Sequence, residues 1–234
     1  MKIKVVVFNH NQKSSAEKLF SILSSEFDTA LFDSGSNEEE ISELSTHKFP
    51  NIYWTGCWNK SWNLFPESDL IWGIGGDCGL TADPRQYRAA IESALPFAIW
   101  SPKIAGQHLP YMQVDEGTVL SVKHIEGIAF ALTQKLWKLM GGFDKSNYIG
   151  WGQDCIASFL SHEAGMRNLL DGRVCLTHPP SNQYDSKLAR ILQAAVILKV
   201  LGKERGNELL HAIDATFLSP HLNLIGSVNL VQEP

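Results

Sequence analysis

Residues 3–8, Ile-Lys-Val-Val-Val-Phe, form a near-continuous β-branched apolar run. A strand that is apolar on successive residues suits a parallel sheet covered on both faces. The chain that follows offers the covering helices. Ser14-x-x-Glu17 has capping-box form, and Ala16, Leu19, Phe20 and Leu23 follow at helical spacing, which predicts a helix crossing back over the sheet. Residues 29–32 predict a second strand running into Asp-Ser-Gly-Ser, acidic residues 37–44 another helix, residues 51–54 a third strand, and the stretch around Trp62 and Leu64 a helix. A fourth strand over 70–74 ends in two glycines and Asp77. Asp83-Pro84 then opens a helix with Tyr87, Ile91 and Leu95 on one face, and residues 97–100 give a further short strand. Repeated alternation implies right-handed crossovers and a doubly wound α/β sheet, with ligands at the carboxyl ends of strands. Asp33 and Asp77 both fall at such ends.

Beyond Ser101 the pattern loosens into a loop to Gly117, a strand over 119–122, helices over 134–140 and 153–163, short strands over 168–170 and 174–177, and the turn His-Pro-Pro-Ser-Asn. Two helices, 186–201 and 204–217, close the chain. The expected division is an α/β domain over 1–184 and a helical appendage over 185–234 packed on it. With 234 residues, 44% of them hydrophobic, the chain can bury a substantial core. A net charge of −5 gives no basic footprint for nucleic acid, so none is expected as a partner. Cys57, Cys78, Cys155 and Cys175 stand singly, and the apolar opening is too short for a signal or a span. These features predict free thiols and a cytoplasmic protein.

Asp33, Asp77, Asp154 and His178 each sit beside glycine or proline at a predicted strand end or helix start. Taken singly, each has a structural reading as a turn residue, an N-cap or a satisfied loop histidine. The stretch Asn147 to Cys155, NYIGWGQDC, sharpens the question by putting Gly150 and Gly152 around Trp151 and following them with Gln153 and Asp154. Glycine leaves room for another group to approach the backbone.

In order along residues 3 to 180, the segments VVVFNHNQ, DSGS, GCWNKSWN, DLIWGIGGD, GIAFALTQKLWKLMGGFD, GWGQD and VCLTHPP resemble the inverting, nucleotide-sugar-dependent glycosyltransferases of family two, which have the GT-A fold. The resemblance implies transfer of a sugar from a nucleoside-diphosphate sugar to an acceptor hydroxyl on a glycan or lipid-linked molecule, with Asp154 as base. It also implies a divalent metal, Mn²⁺ or Mg²⁺, on Asp77 with His178 as a further ligand, and Asp33 on the nucleotide base. Asn9, Asn11 and Asn59 would line the nucleotide pocket, and Trp151, Gly152 and Gln153 would meet the sugar or acceptor. Two departures stand out: Gly75 occupies a position where the family has aspartate or asparagine, and Gln153 replaces the glutamate of a Glu-Asp pair. A single carboxylate anchors metal weakly, so the metal is expected to be weak or optional. A non-catalytic nucleotide-sugar or glycan binder is the alternative. The basic and apolar helix carrying Lys187, Arg190 and Lys199 could touch the inner face of a membrane or a second subunit, and as readily pack on its own domain.

Overall fold

The structure, a computed structural model, describes residues 1–105, 112–179, 185–218 and 223–228. Strand β1 (Ile3–Asn9) is covered on both faces, as its composition requires, and Val5, Val6 and Val7 are wholly buried. Successive side chains alternate between faces. Val5 and Val7 pack with Leu19 and Leu23 of α1 (Lys13–Leu23) and with Tyr87 and Ile91 of α3 (Pro84–Ala94). Val6 packs on the opposite side with Trp58 and Trp62 of α2 (Tyr53–Leu64), Leu136 of α4 (Gln134–Met140) and Ala157 of α5 (Gln153–Glu163). Outside α5 lie α6 (Ser186–Leu201) and α7 (Lys203–Leu218), whose Val196, Ile197, Leu201 and Leu209 cover Cys155 and Ile156.

The remaining strands are β2 (Asp28–Ser34), β3 (His47–Phe49), β4 (Leu70–Gly75), β5 (Gly79–Leu80), β6 (Ile99–Ala105), β7 (Val119–Val122), β8 (Ala131–Thr133), β9 (Asn168–Thr177) and β10 (Leu224–Ser227). They form one sheet in the order β10-β7-β9-β6-β8-β4-β1-β2-β3, with β5 pairing β9 off this path. The pairings orient β1, β2, β3, β4, β6, β9 and β10 one way, and β5, β7 and β8 the other. This is an α/β fold with a central sheet of mostly parallel strands flanked by helices. No helix among the described residues is long and apolar enough to cross a membrane.

Several local expectations are corrected. Residues 51–54 open helix α2, and the third strand is β3. The cluster Ile52, Tyr53, Trp54 looks strand-like, but Trp54, Trp58 and Trp62 at four-residue spacing are the apolar face of a helix. The acidic stretch makes only the 3₁₀ turn Glu38–Glu40, whose last carbonyl accepts from Asn9 Nδ2 at 3.1 Å. Ser14 and Glu17 form no capping box. Helix α1 begins at Lys13, and Glu17 accepts from the Ser42 hydroxyl at 2.7 Å. The capping box is real at Asp83, with Pro84 in the first turn behind it. Two short strands become the single β9, interrupted by a register shift opposite Pro102 and Lys103. The segment after residue 185 is more than helical, since β10 joins the sheet edge against β7.

All four cysteines are free thiols, and burial pushes the Cys57 thiol up to about 12, which leaves it unreactive. The largest side chains sit where the faces of the sheet meet their helices. Trp72 on β4 stacks on Tyr87 at 5.6 Å, meets Trp100 and Phe27 edge-on, and donates Nε1 to the Ala129 carbonyl at 3.2 Å. Trp72→Ala should therefore cost about 3–5 kcal/mol, and Trp72→Phe clearly less. Urea unfolding midpoints compared at constant slope check this.

Candidate active site

The turn after β4 and the end of β9 are brought together by a two-residue pairing. Gly79 lies opposite Thr177 and Leu80 opposite Leu176, so Asp77, two residues before β5, meets His178, one residue after β9. Their Oδ2 and Nε2 atoms are 3.5 Å apart and both side chains remain partly open to solvent. Gly76 is tightly enclosed beside them by the Phe8 backbone, whereas the atom nearest a Cβ on Gly75 is the movable carboxylate end of Asp77. A Cβ on Gly76 would stand 2.9 Å from the Phe8 carbonyl oxygen and 3.1 Å from Ala16 Cβ, and one on Gly75 would stand 2.8 Å from Asp77 Oδ1. One carboxylate oxygen and one imidazole nitrogen at this separation suit a divalent ion of the Mn²⁺ type, a cation that accepts both donor kinds.

Asp154 lies in the first turn of α5, where helix geometry favours a negative charge. Its Oδ2 accepts from Gly127 N and its Oδ1 from Cys155 N, each at 2.8 Å. Only 7% of the residue is exposed. His124 and Glu126 face it from the loop before β8, with Nε2 and Oε2 of that pair 3.7 Å apart. The nitrogen and oxygen atoms of His124, Glu126 and Asp154 all lie within 4.8 Å of one another. Burial, then the Glu126 charge, pushes the Asp154 carboxyl up to about 6, against the opposing pull of His124 and the two N–H donors. Three such donor atoms this close together could hold a metal ion or share a proton.

The loop carrying Glu126 and Gly127 connects the two centres. Ile128 offers its carbonyl to Gly75 N at 3.4 Å, beside Asp77, while Gly127 holds Asp154. Trp54 wedges this arrangement. Its Nε1 donates to the Gly127 carbonyl at 3.1 Å, and its ring stacks on Phe143 at 5.2 Å and Phe130 at 5.8 Å. A Cβ on Gly127 would meet this ring at 2.9 Å, and one on Gly150 at 2.5 Å.

The glycines of NYIGWGQDC thus make room for the protein itself. Gly150, at φ +104°, admits Trp54, and Gly152, at φ +88°, admits Gln193 of α6. Gln153 is held in the same region. It is buried, accepts from Asp144 N at 3.3 Å and donates to Asp144 O at 2.7 Å, clamping the segment before it. The Asn59 side chain brackets Phe143 through that residue's N–H at 3.1 Å and carbonyl at 3.0 Å. Asn9 and Asp33 lie opposite one another at the ends of β1 and β2, joined at 2.8 Å, and Asp33 also accepts from Ser36 N at 3.0 Å. Both are buried and spent on the loop. Asn11, at φ +57°, accepts from Asn37 N at 2.7 Å. Trp151 is half-buried, and its carbonyl accepts from Asn147 Nδ2 at 2.5 Å. The sheet brings Asp33 and Asp77 to one edge, and only Asp77 of the two is partly open.

Trp54, His124 and Glu126 were missed. The signal for the latter pair was present as His-x-Glu-Gly at the mouth of a predicted strand, a titratable pair ending in a glycine that permits close approach. A cavity of about 200 Å³ among α4, α5 and α6, lined by Gly142, Phe143, Gln153, Ile156 and Val200 among others, contains none of these titratable groups. The chemistry is elsewhere.

No protein-family model matches the chain, and no curated protein sequence matches it. Among solved structures it is similar to GalNAc-T7, crystallised with UDP, GalNAc and Mn²⁺, at a TM-score of 0.69 and 12% identity over 92% of this chain and 50% of that one. It is similar also to residues 1–349 of S. aureus TarS in complex with UDP-GlcNAc, at a TM-score of 0.64 and 14% identity over 94% of this chain and 72% of that one. The fold is GT-A. The chain spans about half the length of the GalNAc-T7 chain it matches.

Two outcomes follow from this geometry. Gly150→Ala should unfold at distinctly lower urea than the parent, since the new methyl meets the Trp54 ring at 2.5 Å in a conformation that L residues rarely adopt. Glu126→Gln should lower the titration midpoint of Asp154 below about 6, because it removes the repelling charge and leaves the N–H donors in place. Carbonyl-¹³C NMR of labelled aspartate, with Asp154→Asn for assignment, measures it.

Proposed function

We propose that the chain is an inverting glycosyltransferase, moving a sugar from a nucleoside-diphosphate sugar to an acceptor hydroxyl with Asp154 as general base. The observation that carries this reading is a carboxylate held nearly buried at a helix start, raised toward neutral pH, one loop away from an Asp–His pair suited to a divalent metal. The UDP and Mn²⁺ of the GalNAc-T7 crystal and the UDP-GlcNAc of the TarS crystal make a UDP-sugar the first donor to test.

In the proposed reaction the acceptor O–H gives its proton to Asp154 as its oxygen bonds to the anomeric carbon. The bond from that carbon to the diphosphate breaks, and its electron pair leaves on the diphosphate oxygen. Displacement from the face opposite the leaving group inverts the anomeric centre. Asp77 and His178 would hold the metal, which when bound supplies positive charge to the departing diphosphate. Asp154, pinned by Gly127 and Cys155, keeps a lone pair for the proton without reorienting. Glu126 and His124 set how strongly it holds that proton. Nucleic acid stays outside this reading on charge grounds.

A non-catalytic binder is the competing reading, supported by Gly75 in the metal motif and by the loss of the usual glutamate at Gln153. The Gln153 part of that support weakens here. Gln153 is a buried clamp on Asp144, a task an amide performs better than a carboxylate because it can both accept and donate.

Asp154→Asn should cut sugar transfer about 10²- to 10⁴-fold with little change in UDP binding, since an amide cannot take the proton. In the parent, kcat/KM should rise with pH through about 6 as the base loses its proton. Release of nucleoside diphosphate from a panel of nucleotide-sugars reads both, and no release from any donor would favour the binder. Asp77→Ala should abolish the enhancement of UDP affinity by Mn²⁺ in calorimetry while the fold persists. Retained Mn²⁺ dependence would place the ion away from Asp77.

A further inference from the structure

We infer that Asn223, carried by the chain's C-terminal segment, is the positioning residue for the loop that presents Glu126 and Gly127 to Asp154. The inference deepens the transferase reading, on which the role of Asp154 as base rests. It stands on the hydrogen bonds that the loop's backbone makes among the described residues. Lys123 N donates to the Asn223 carbonyl and His124 N to Asn223 Oδ1, each at 2.8 Å. Ile125 N donates to Ser158 Oγ at 3.1 Å, Glu126 N to Met112 Sδ at 3.4 Å, and Gly127 N to Asp154 Oδ2 at 2.8 Å. Asn223 also returns a bond, Nδ2 to the His124 carbonyl at 3.1 Å.

Two of the loop's supports bear on its geometry toward Asp154. One is helix α5, through Ser158 and Asp154. The other is Asn223, which brackets His124 on both its backbone groups and is 1% exposed. Strand β10 begins at the next residue and fixes Asn223 by pairing with β7, from which the loop itself departs. Removing the Asn223 side chain would take away both side-chain bonds that bracket His124, while Ser158 and Asp154 would still hold the loop from α5. The titratable groups facing Asp154 are His124 and Glu126 from this loop and Cys155 from its own helix, and two of these three depend on the bracket.

The test uses the full chain and no sugar donor, so failure of the transferase reading leaves its outcome unaffected. Amide hydrogen exchange and the Asp154 titration are followed in Asn223→Ala beside the parent. Exchange at residues 124–127 is expected to quicken at least tenfold, while amides of β1 and β4 keep parent rates. The Asp154 midpoint is expected to fall toward the ordinary carboxylate value as water enters and Glu126 draws away. If Asn223→Ala does not fold, Asn223→Asp carries the test, because it keeps the acceptor for His124 N and loses the donor to the His124 carbonyl. A folded variant with parent exchange at Gly127 and a parent midpoint would overturn the inference. So would loosening spread evenly over β1 and β4, which would make Asn223 a general stabiliser of the sheet.

Discussion

The candidate site depends on one wedge, the indole of Trp54 driven between the backbones of Gly127 and Gly150. The ring is stacked on Phe143 and Phe130 and tilted against Trp58, so its position is set by the aromatic core rather than by the loops it separates. Those loops can approach it only because both carry glycine. Gly127 then delivers its N–H to Asp154, and Gly150 accepts from Gln153 N as α5 begins. Core packing is thereby translated into the placement of a carboxylate.

That placement has an electrostatic consequence. The Asp154 carboxyl is raised above its unfolded value, chiefly by burial. A raised carboxyl stabilises the fold most while it is protonated, so the contribution is complete below about pH 4 and is lost as pH rises through about 6. At neutral pH the ionised group therefore sits in an environment that disfavours it, partly offset by two N–H donors and by His124. Such opposition suits a group that must take up a proton.

Much of the fold was legible because its elements are locally consistent. The apolar run of β1, the Asp83-Pro84 start of α3 and the helices expected over 134–140, 153–163 and 186–201 all agree with the structure. Helix α2 was misread at its start because Ile, Tyr and Trp favour strands in isolation, and only their burial on one helical face decides otherwise. Asp77 and His178 were legible as a pair, although what joins them is the pairing of β5 with β9 across nearly a hundred residues. The hydrogen bonds that Asn9, Asn59, Gln153 and Asp33 make to the protein itself were not legible, since a residue type suited to binding substrate is equally suited to binding its own backbone. Trp54 and Asn223 reach the site only through tertiary contacts that no local pattern announces.

The most direct measurement is a crystal structure of the chain grown with UDP and Mn²⁺. The account predicts the ion between Asp77 and His178, the diphosphate upon it, and Asp154 across the Gly127 loop with its carboxylate bound to no metal. An ion seated among His124, Glu126 and Asp154, or UDP bound away from the Asp77 turn, would contradict it.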